Sequence, residues 1–344
     1  KVKNTDVYDL ASITKISATL PLLMKMVDEG KLNIDNTLGM YLDLDTSNKT
    51  ELVIRDILAH QSRLKSWIPF YRFTLDNDTI NGVKILRDTL YSSTESAIYP
   101  YKVADDIYLH FSYPDSILKI IKYSELRENE GYKYSDLGYY LFKEIIEKNY
   151  NNELNKLTSD YFYKKLGMEN LGYLPLDRIE KDRIIPTEQD YLYRSQLIKG
   201  YVHDQGAAML GGVGGHAGVF SNANDLAKIM QMYLNNGEYG GERYISEKTV
   251  KEFTKCQFCK KDNRRGAGFD KPAIDKGGST CDCVSHTSFG HTGFTGTIAW
   301  ADPETEIIYI FLSNRVHPDA NNMKLLKMDV RTNIMQEIFN HFGN

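Results

Sequence analysis

The segment Asp9-Leu-Ala-Ser-Ile-Thr-Lys15 places a serine and a lysine three residues apart, at the start of a long apolar pattern. Apolar residues recur there at steps of three and four, and Gly30 is suited to end the pattern, which predicts a helix over residues 9–30. The spacing puts Ser12 and Lys15 on one helix face, close enough for the amine to reach the hydroxyl. The positive end of the helix dipole would favour an alkoxide on Ser12.

This serine–lysine pair is suited to nucleophilic chemistry, but the pattern alone is weak. A lysine can take a proton from a serine only if burial or a neighbouring cation lowers its pKa. A chance match of this kind is more often a solvated helix face. The functional interpretation therefore depends on other parts of the chain.

Two further motifs supply that support. Tyr134-Ser-Asp136 precedes a predicted helix, and Gly290-His-Thr-Gly-Phe-Thr-Gly296 lies on a predicted strand. The glycines would let a substrate backbone lie along the strand, and the Phe294 N–H could join the Ser12 N–H in an oxyanion hole. Tyr134 alone could be a packing aromatic, one of 24 tyrosines, and the glycine motif alone could be a bulge. All three motifs in this order indicate a site.

The three motifs together resemble the serine β-lactamase and penicillin-binding-protein superfamily, in particular its class C and S12 DD-peptidase branch. Asp56-Ile-Leu-Ala-His-Gln-Ser62 and Gly214-Gly-His-Ala-Gly-Val-Phe-Ser221 are also similar to segments of these proteins. The resemblance runs from about residue 9 to the C-terminus. Trp67-Ile-Pro-Phe-Tyr71 looks most like the β-lactamase-related domain attached to family 3 glycoside hydrolases in Bacteroidetes. That likeness implies an upstream glycoside hydrolase domain in the full-length protein.

The resemblance implies one α+β domain over residues 1–344, with an antiparallel sheet flanked by helices and a helical region beside it. Residues 1–35 and 200–344 would form the α/β region, and residues 36–199 a mainly helical region. The family normally has a helix and two strands before its Ser-x-x-Lys motif, whereas eleven residues precede Ser12 here. We therefore expect those elements to be missing from this sequence.

The resemblance also assigns roles. Ser12 would attack a carbonyl and form an acyl-enzyme, with Lys15 and Tyr134 sharing the proton transfers and with no cofactor or metal. The implied substrate is a small molecule or a fragment derived from peptidoglycan. The implied activity is that of a D-Ala-D-Ala carboxypeptidase, an esterase or an amidase. The implied location is the periplasm, the cell envelope or the medium. The residues expected to bind the substrate are Asp136, His291, Thr292, Gly293 and Phe294.

Two residues depart from the family pattern. Asp136 stands where the family often has Asn, and a carboxylate cannot donate a hydrogen bond to a substrate carbonyl; it could instead pair with Lys15. His291 replaces a permanent cation with a group whose ordinary pKa is about 6.5. Both changes point away from an efficient β-lactamase. The alternative from another class is a catalytically silent module that binds peptidoglycan or a glycan.

Composition excludes other classes. The formal charge is −4, so there is no basic excess to neutralise the phosphates of a nucleic acid. No apolar run approaches the roughly 18 residues of a transmembrane helix. The four cysteines form a CxxC and a CxC at Cys256, Cys259, Cys281 and Cys283, compatible with two disulfides, free thiols or a zinc site of unusual spacing.

The remaining expectations are local. Isolated histidines are more often structural than catalytic, so His60 and His216 are expected to be structural, and His203 to form a loop contact near the pocket. Arg194 could clamp a substrate anion or pair with Glu188. We further expect a solvated turn at 264–265 and loops with short helices over 67–136. The predicted helices cover 52–60, 137–148, 225–235 (with Asn224 as N-cap) and 328–342. The predicted strands cover 288–292, 297–301 and 307–312.

Overall fold

The computed structural model describes residues 1–80, 83–275 and 277–343. The helices in this part of the chain are α1 Leu20–Asp28, α2 Ile54–Leu58, α3 Tyr113–Tyr123, α4 Leu137–Tyr150, α5 Leu154–Thr158, α6 Gln205–Met209, α7 Ala223–Leu234, α8 Glu247–Thr254, α9 Lys324–Lys327 and α10 Val330–Phe342. The strands are β1 Tyr8–Asp9, β2 Leu75–Ile80, β3 Val83–Leu86, β4 Tyr91–Ser92, β5 Tyr101–Ala104, β6 Ile107–Leu109, β7 Glu188–Asp190, β8 Gln196–Ile198, β9 Phe220–Ser221, β10 Glu238–Tyr239, β11 Glu242–Arg243, β12 Phe289–Thr292, β13 Ile298–Asp302 and β14 Ile307–Phe311. Helices and small antiparallel sheets make this an α+β fold, as the sequence predicts.

The three strands predicted near the C-terminus are confirmed. They form an antiparallel sheet in the order β12-β13-β14, with Phe289 opposite Ala301 and Ile298 opposite Phe311. The turn between β12 and β13 needs Gly296, whose φ is +92°. A Cβ there would lie 2.4 Å from a side-chain oxygen of Ser313. This turn fixes the position of the His-Thr-Gly strand.

Both faces of this sheet are covered by helices. Ile298 and Trp300 pack in a cluster with Met335 of α10, whereas Ala299 and Ala301 belong to the main core, which contains α7. Because successive strand residues point to opposite faces, the continuous apolar run of β13 is what a sheet buried on both sides requires. The sheet is therefore held rigidly between two helical layers.

The first predicted helix is broken into parts. Asp9 lies in β1, which pairs with β9, and is followed by a 3₁₀ turn over Ala11–Ile13, a π-helical turn over Lys15–Thr19 and then α1. The Asp9 carboxylate accepts a hydrogen bond from the Ala11 N–H at 2.8 Å, and Ala11 has a φ of +47°. Strained backbone and π-turns cluster at functional sites. Ser12 sits on this irregular turn rather than inside a regular helix.

The expectation of loops with short helices over residues 67–136 is wrong. Apart from residues 81–82, which lie outside the described part, this region contains the five short strands β2–β6 and the helix α3. These strands are short and pair only locally, in one two-stranded and one three-stranded sheet. The many Tyr, Asp and Ser residues in this region interrupt the alternation of apolar and polar residues by which these strands could have been predicted.

The other predicted helices are present with shifted ends. α2 is shorter than the predicted 52–60, whereas α4 and α10 match the predictions closely. The proposed division into an α/β region and a mainly helical region stays a prediction, because residues 36–199 contain α2–α5 together with β2–β8. None of the described helices combines the length and apolar composition needed to cross a membrane.

The predicted N-cap of α7 is wrong by two residues. The helix begins at Ala223, and the Asn222 side chain accepts a hydrogen bond from the Asp225 N–H at 2.9 Å. We expect Asn222→Ala to lower the free energy of unfolding by about 1 kcal/mol, the usual value of a cap. Asn224→Ala is the matched control and should change it by less than about 0.5 kcal/mol, because Asn224 is exposed. Urea denaturation would compare them, and equal losses would contradict the assignment.

Candidate active site

Ser12 and Lys15 are brought together as the spacing predicts. The Lys15 Nζ lies 2.9 Å from the Ser12 Oγ, and Lys15 is completely buried while Ser12 remains partly accessible. An accessible hydroxyl beside a buried amine is the arrangement needed for a nucleophile that meets a substrate while its proton partner is shielded from water.

Lys15 also has two acceptors from distant parts of the chain. Its Nζ lies 2.6 Å from an Asp136 carboxylate oxygen and donates to the His216 backbone carbonyl at 3.1 Å. With Ser12 these acceptors account for the three N–H donors of an ammonium group. The predicted pairing of Asp136 with Lys15 is therefore present, and Lys15 is held in one orientation.

Tyr134 completes the contacts of Ser12. Its hydroxyl donates to the Ser12 Oγ at 2.9 Å. Burial, followed by the neighbouring Asp136 carboxylate, raises the pKa of Tyr134 well above 10. The phenol is therefore protonated at neutral pH and is placed as a proton donor rather than as a base.

The loop that carries Tyr134 is fastened to the end of α2. The Ser135 N–H donates to the Nδ1 of His60 at 3.2 Å, and the Asp136 N–H donates to the Ser66 carbonyl at 3.0 Å. The His60 ring also packs against Tyr134 with ring centroids 4.5 Å apart. His60 thus has the structural role predicted for it.

The His-Thr-Gly strand runs directly beside the turn that carries Ser12. A Cβ on Gly293 would lie 2.5 Å from the Leu10 carbonyl, so only glycine allows this approach. The Phe294 N–H has no acceptor among the described residues, whereas its side chain is 52% exposed. Thr292 ends β12 and is partly accessible. The chain just after β12 therefore carries an N–H without an acceptor among the described residues, next to the turn that holds Ser12.

His291 is buried and is held by one hydrogen-bond partner on each side of its ring. One ring nitrogen, Nδ1, lies 2.7 Å from the Thr292 carbonyl, and the other, Nε2, lies 3.4 Å from an Arg265 guanidinium nitrogen. Burial, followed by the positive charges of Arg265 and Lys15, lowers the pKa of His291 to about 3. The ring is therefore neutral, with Nδ1 donating and Nε2 accepting.

Arg265 corrects the prediction of a solvated turn. Its residue is 7% exposed, and its guanidinium donates to the Tyr132 hydroxyl at 3.0 Å and lies 3.3 Å from the Asp270 carboxylate. Its central carbon is 5.5 Å from the centroid of the Tyr134 ring, within cation–π range. Arg265 thus places a buried guanidinium beside His291 and Tyr134. No motif pointed to it, because its partners are brought in only by folding.

Three other residues with predicted roles, His216, His203 and Arg194, make contacts around the site. The His216 ring lies 2.7 Å from the Asp204 carboxylate and stacks on Tyr140. These contacts fix the position of the His216 backbone carbonyl, which accepts a hydrogen bond from Lys15. His203 lies 3.2 Å from Glu188 and packs against Phe294, a loop contact near the pocket as predicted. Arg194 is fully buried and pairs with Asp190 and Glu188, so of its two predicted roles the ion pair is the one present.

The cysteines form two disulfides, Cys256–Cys259 and Cys281–Cys283. These pairings use all four thiols that the zinc interpretation required. Among the described residues there is also no group of three or more His, Cys, Asp or Glu side chains suited to a metal ion. The disulfides lie in the segments before β12, one of them a few residues before Arg265.

A Ser-x-x-Lys turn and a tyrosine loop meet at the hydroxyl of Ser12, an arrangement suited to a serine hydrolase. The family model described as Beta-lactamase matches residues 1–331. A putative D-alanyl-D-alanine carboxypeptidase of Escherichia coli (strain K12) is 32% identical over 350 residues, 94% of this chain and 73% of that protein. Its counterpart in Escherichia coli O157:H7 is 31% identical over 351 residues, with the same coverage of 94% and 73%.

Solved structures agree on the fold. The D-amino acid amidase from Ochrobactrum anthropi SV3 superposes with a TM-score of 0.64 at 15% identity, over 100% of this chain and 86% of that one. A penicillin-binding protein from Bacillus halodurans gives a TM-score of 0.61 at 14% identity, over 95% and 87%. The chain belongs to the β-lactamase family, and its class is that of a serine hydrolase. The link to domains attached to glycoside hydrolases stays a prediction.

The neutrality of His291 has a consequence for stability. Its folded pKa of about 3 lies below the ordinary value of 6.5, so the unfolded chain binds the proton more readily between these values. His291 therefore lowers stability as pH falls from about 6.5 towards 3, and has no effect above that range. We expect the free energy of unfolding of His291→Gln to fall less than that of the wild type as the pH is lowered through this range. The exposed His286→Gln control should not, and identical acid profiles for both variants would contradict a neutral buried ring.

Proposed function

We propose that this protein is a serine hydrolase that forms an acyl-enzyme on Ser12 and cleaves amide or ester bonds of D-alanyl or related D-amino-acid substrates. The observation that carries the proposal is that Lys15 and Tyr134 both hydrogen-bond the Ser12 Oγ, each at 2.9 Å. The curated relatives carry the name D-alanyl-D-alanine carboxypeptidase, which supports a peptidoglycan-derived or similar small substrate. We also propose that the chain belongs to the class C and S12 branch, because its Tyr134 and His291 motifs resemble those of that branch.

The first proton transfer involves three groups. Tyr134 is protonated, and a Lys15 ammonium with its three donors engaged cannot accept the Ser12 proton until it has given up one of its own. We infer that Lys15 passes one proton to Asp136 and becomes a neutral amine. The amine then accepts the Ser12 proton while the Ser12 oxygen bonds to the substrate carbonyl carbon. The charge that develops on the carbonyl oxygen would be stabilised by the N–H groups of Ser12 and Phe294.

The leaving group then departs with the proton of Tyr134. Tyr134 is reprotonated by Lys15, and Lys15 recovers its proton from Asp136, so the net result is transfer of the Ser12 proton to the leaving group. Hydrolysis follows the reverse route. A water oxygen bonds to the acyl carbon while its proton passes to this chain of groups; the bond between the acyl carbon and the Ser12 oxygen then breaks, that oxygen takes up the proton, and the free acid leaves. Thr292 and Gly293 would align the substrate backbone beside Ser12, with the neutral His291 behind them.

We further propose a periplasmic, cell-envelope or secreted location. The two disulfides support it, because disulfides persist in oxidising compartments. An upstream glycoside hydrolase domain remains a prediction from the resemblance alone.

Covalent labelling tests the proposed function. The protein is incubated with a fluorophosphonate and, separately, with a penicillin, and its intact mass is measured. We expect a mass gain in the wild type and in Ser17→Ala, the matched control from the same helical segment, but none in Ser12→Ala. Labelling by penicillin as well would support a peptidoglycan stem substrate, whereas fluorophosphonate alone would support an esterase. No adduct with either reagent would contradict the proposal and favour a silent peptidoglycan- or glycan-binding module.

A further inference from the structure

Asp9 connects the turn that carries Ser12 to two other segments of the chain. Its Oδ1 accepts a hydrogen bond from the Ala11 N–H at 2.8 Å, and its Oδ2 accepts one from the His203 N–H at 2.7 Å. Its backbone carbonyl accepts a third from the Thr295 hydroxyl at 2.8 Å. Asp9 is only 2% exposed, so these hydrogen bonds form in a low-dielectric interior where they are strong.

The contact with Ala11 holds the backbone just before Ser12. Ala11 has a φ of +47°, a left-handed conformation that is unfavourable for a residue with a Cβ and persists only where neighbouring contacts impose it. The Asp9 carboxylate accepts the N–H of this same residue. Loss of that acceptor would leave a buried N–H unpaired and would release the turn. The direction of the Ser12 N–H therefore depends on Asp9.

The other two contacts of Asp9 reach the second N–H of the proposed oxyanion hole, that of Phe294. The His203 ring packs against the Phe294 ring with centroids 5.1 Å apart, and Thr295 is the next residue of the chain. Asp9 thus holds one neighbour of Phe294 with its carboxylate and another with its backbone carbonyl. One buried residue therefore links the two segments that carry the Ser12 and Phe294 N–H groups.

Only a carboxylate of this size can accept both backbone N–H groups. Burial raises the pKa of Asp9, whereas the N–H donors of His203 and Ala11 favour its ionised form. A carboxylate accepts on both oxygens, but an amide has one accepting oxygen and an NH₂ group that only donates. An asparagine at this position would therefore leave one of the two N–H groups without an acceptor.

We propose that Asp9 is a positioning residue that sets the spacing and direction of the Ser12 and Phe294 N–H groups in the oxyanion hole. Asp9 does not touch the substrate, and acts through the Ser12 turn and through the segment that contains Phe294. This inference rests on the proposed acylation of Ser12. It predicts a loss in the step in which charge develops on the oxygen that the two N–H groups bind.

A pair of phosphorus reagents tests this role without a known substrate. A fluorophosphonate and its thiono analogue, in which P=S replaces P=O, both label a nucleophilic serine by losing fluoride, but sulfur is the weaker hydrogen-bond acceptor. The ratio of the two labelling rates at Ser12 therefore reports how well the N–H groups fit an oxygen. We expect Asp9→Asn to slow labelling by the P=O reagent about 10²-fold, the usual scale of one lost oxyanion donor, and to lower the ratio about tenfold or more.

Asp302→Asn is the matched control. Asp302 is fully buried and also accepts one backbone N–H on each oxygen, from Ser285 at 2.7 Å and from Glu304 at 3.0 Å, and neither partner belongs to the Ser12 site. This variant should keep the wild-type ratio within about twofold, even where it is less stable. Thr295→Val removes only the third contact of Asp9 and should lower the ratio about threefold, because one neutral hydrogen bond is lost.

The outcomes separate the two claims. Normal labelling of Ser12 in Asp9→Asn, or slower labelling with an unchanged ratio, overturns the role of Asp9 and leaves the nucleophile intact. Absence of labelling in the wild type overturns the proposed function first, and this inference with it. If Asp9→Asn does not fold, Thr295→Val decides, since a ratio equal to that of the wild type overturns the inference.

Discussion

Lys15→Met is expected to lower kcat/KM for a D-alanyl ester or amide by about 10³-fold, the usual scale of a lost proton-transfer group. The variant keeps an unbranched chain of similar length but removes the only amine that reaches the Ser12 Oγ in the described structure. It also leaves Asp136 without its charged partner. Steady-state kinetics at neutral pH would measure the loss.

Lys49→Met is a matched control for Lys15→Met. Lys49 is equally buried, and its Nζ hydrogen-bonds Asn48 at 2.6 Å and the Ser124 carbonyl, contacts that involve no residue of the Ser12 site. This variant loses a buried amine without losing a proton carrier, so its kcat/KM should stay within about threefold of the wild type. Similar kinetic losses in both variants would show that Lys15 acts through folding and not through proton transfer.

Arg265→Met is expected to lower the free energy of unfolding by about 3 kcal/mol, because it breaks a buried ion pair and leaves the buried Asp270 carboxylate with Arg264 as its remaining cationic partner. Arg264→Met is the control. Arg264 binds the same carboxylate at 2.9 Å, but its side chain is 28% exposed against 8% for Arg265. Its loss should cost less than about 1 kcal/mol. Chemical denaturation would compare the two.

A double variant sharpens the Arg265 prediction. If the cost arises from an uncompensated charge, Arg265→Met combined with Asp270→Asn should be more stable than the sum of the two single losses indicates. Arg265→Met should also raise the pKa of His291, since Arg265 is the largest charged contribution that lowers it. Equal losses for the Arg264 and Arg265 variants would contradict the burial of this cation.

Short motifs predicted the contacts around Ser12 that the structure shows. The Ser12–Lys15 contact follows from spacing along a single turn, and Tyr134 and His291 come from short motifs whose order along the chain resembles one family. The pairing of Asp136 with Lys15 was expected because the resemblance brings the two motifs to one site and the two side chains carry opposite charges.

The features that sequence missed depend on long-range packing. Arg265 looked solvated because a pair of arginines usually is, and its burial follows from Tyr132 and Asp270, which no periodic pattern connects to it. The N-cap of α7 is Asn222 and not Asn224, because the extended backbone ends at Asn222. The sequence alone could not decide between these two asparagines. The irregular turn before Lys15 depends on β1 pairing with β9, more than 200 residues away.

The most direct test of the account is to locate a trapped acyl group. The protein is mixed with a D-alanyl ester, quenched in acid during turnover and digested with trypsin, and the peptide of residues 4–15 is fragmented in a mass spectrometer. The account predicts the acyl mass on Ser12, present in the wild type and absent in Ser12→Ala. Turnover of the ester with an unmodified Ser12, or with the acyl group on another residue, would contradict it.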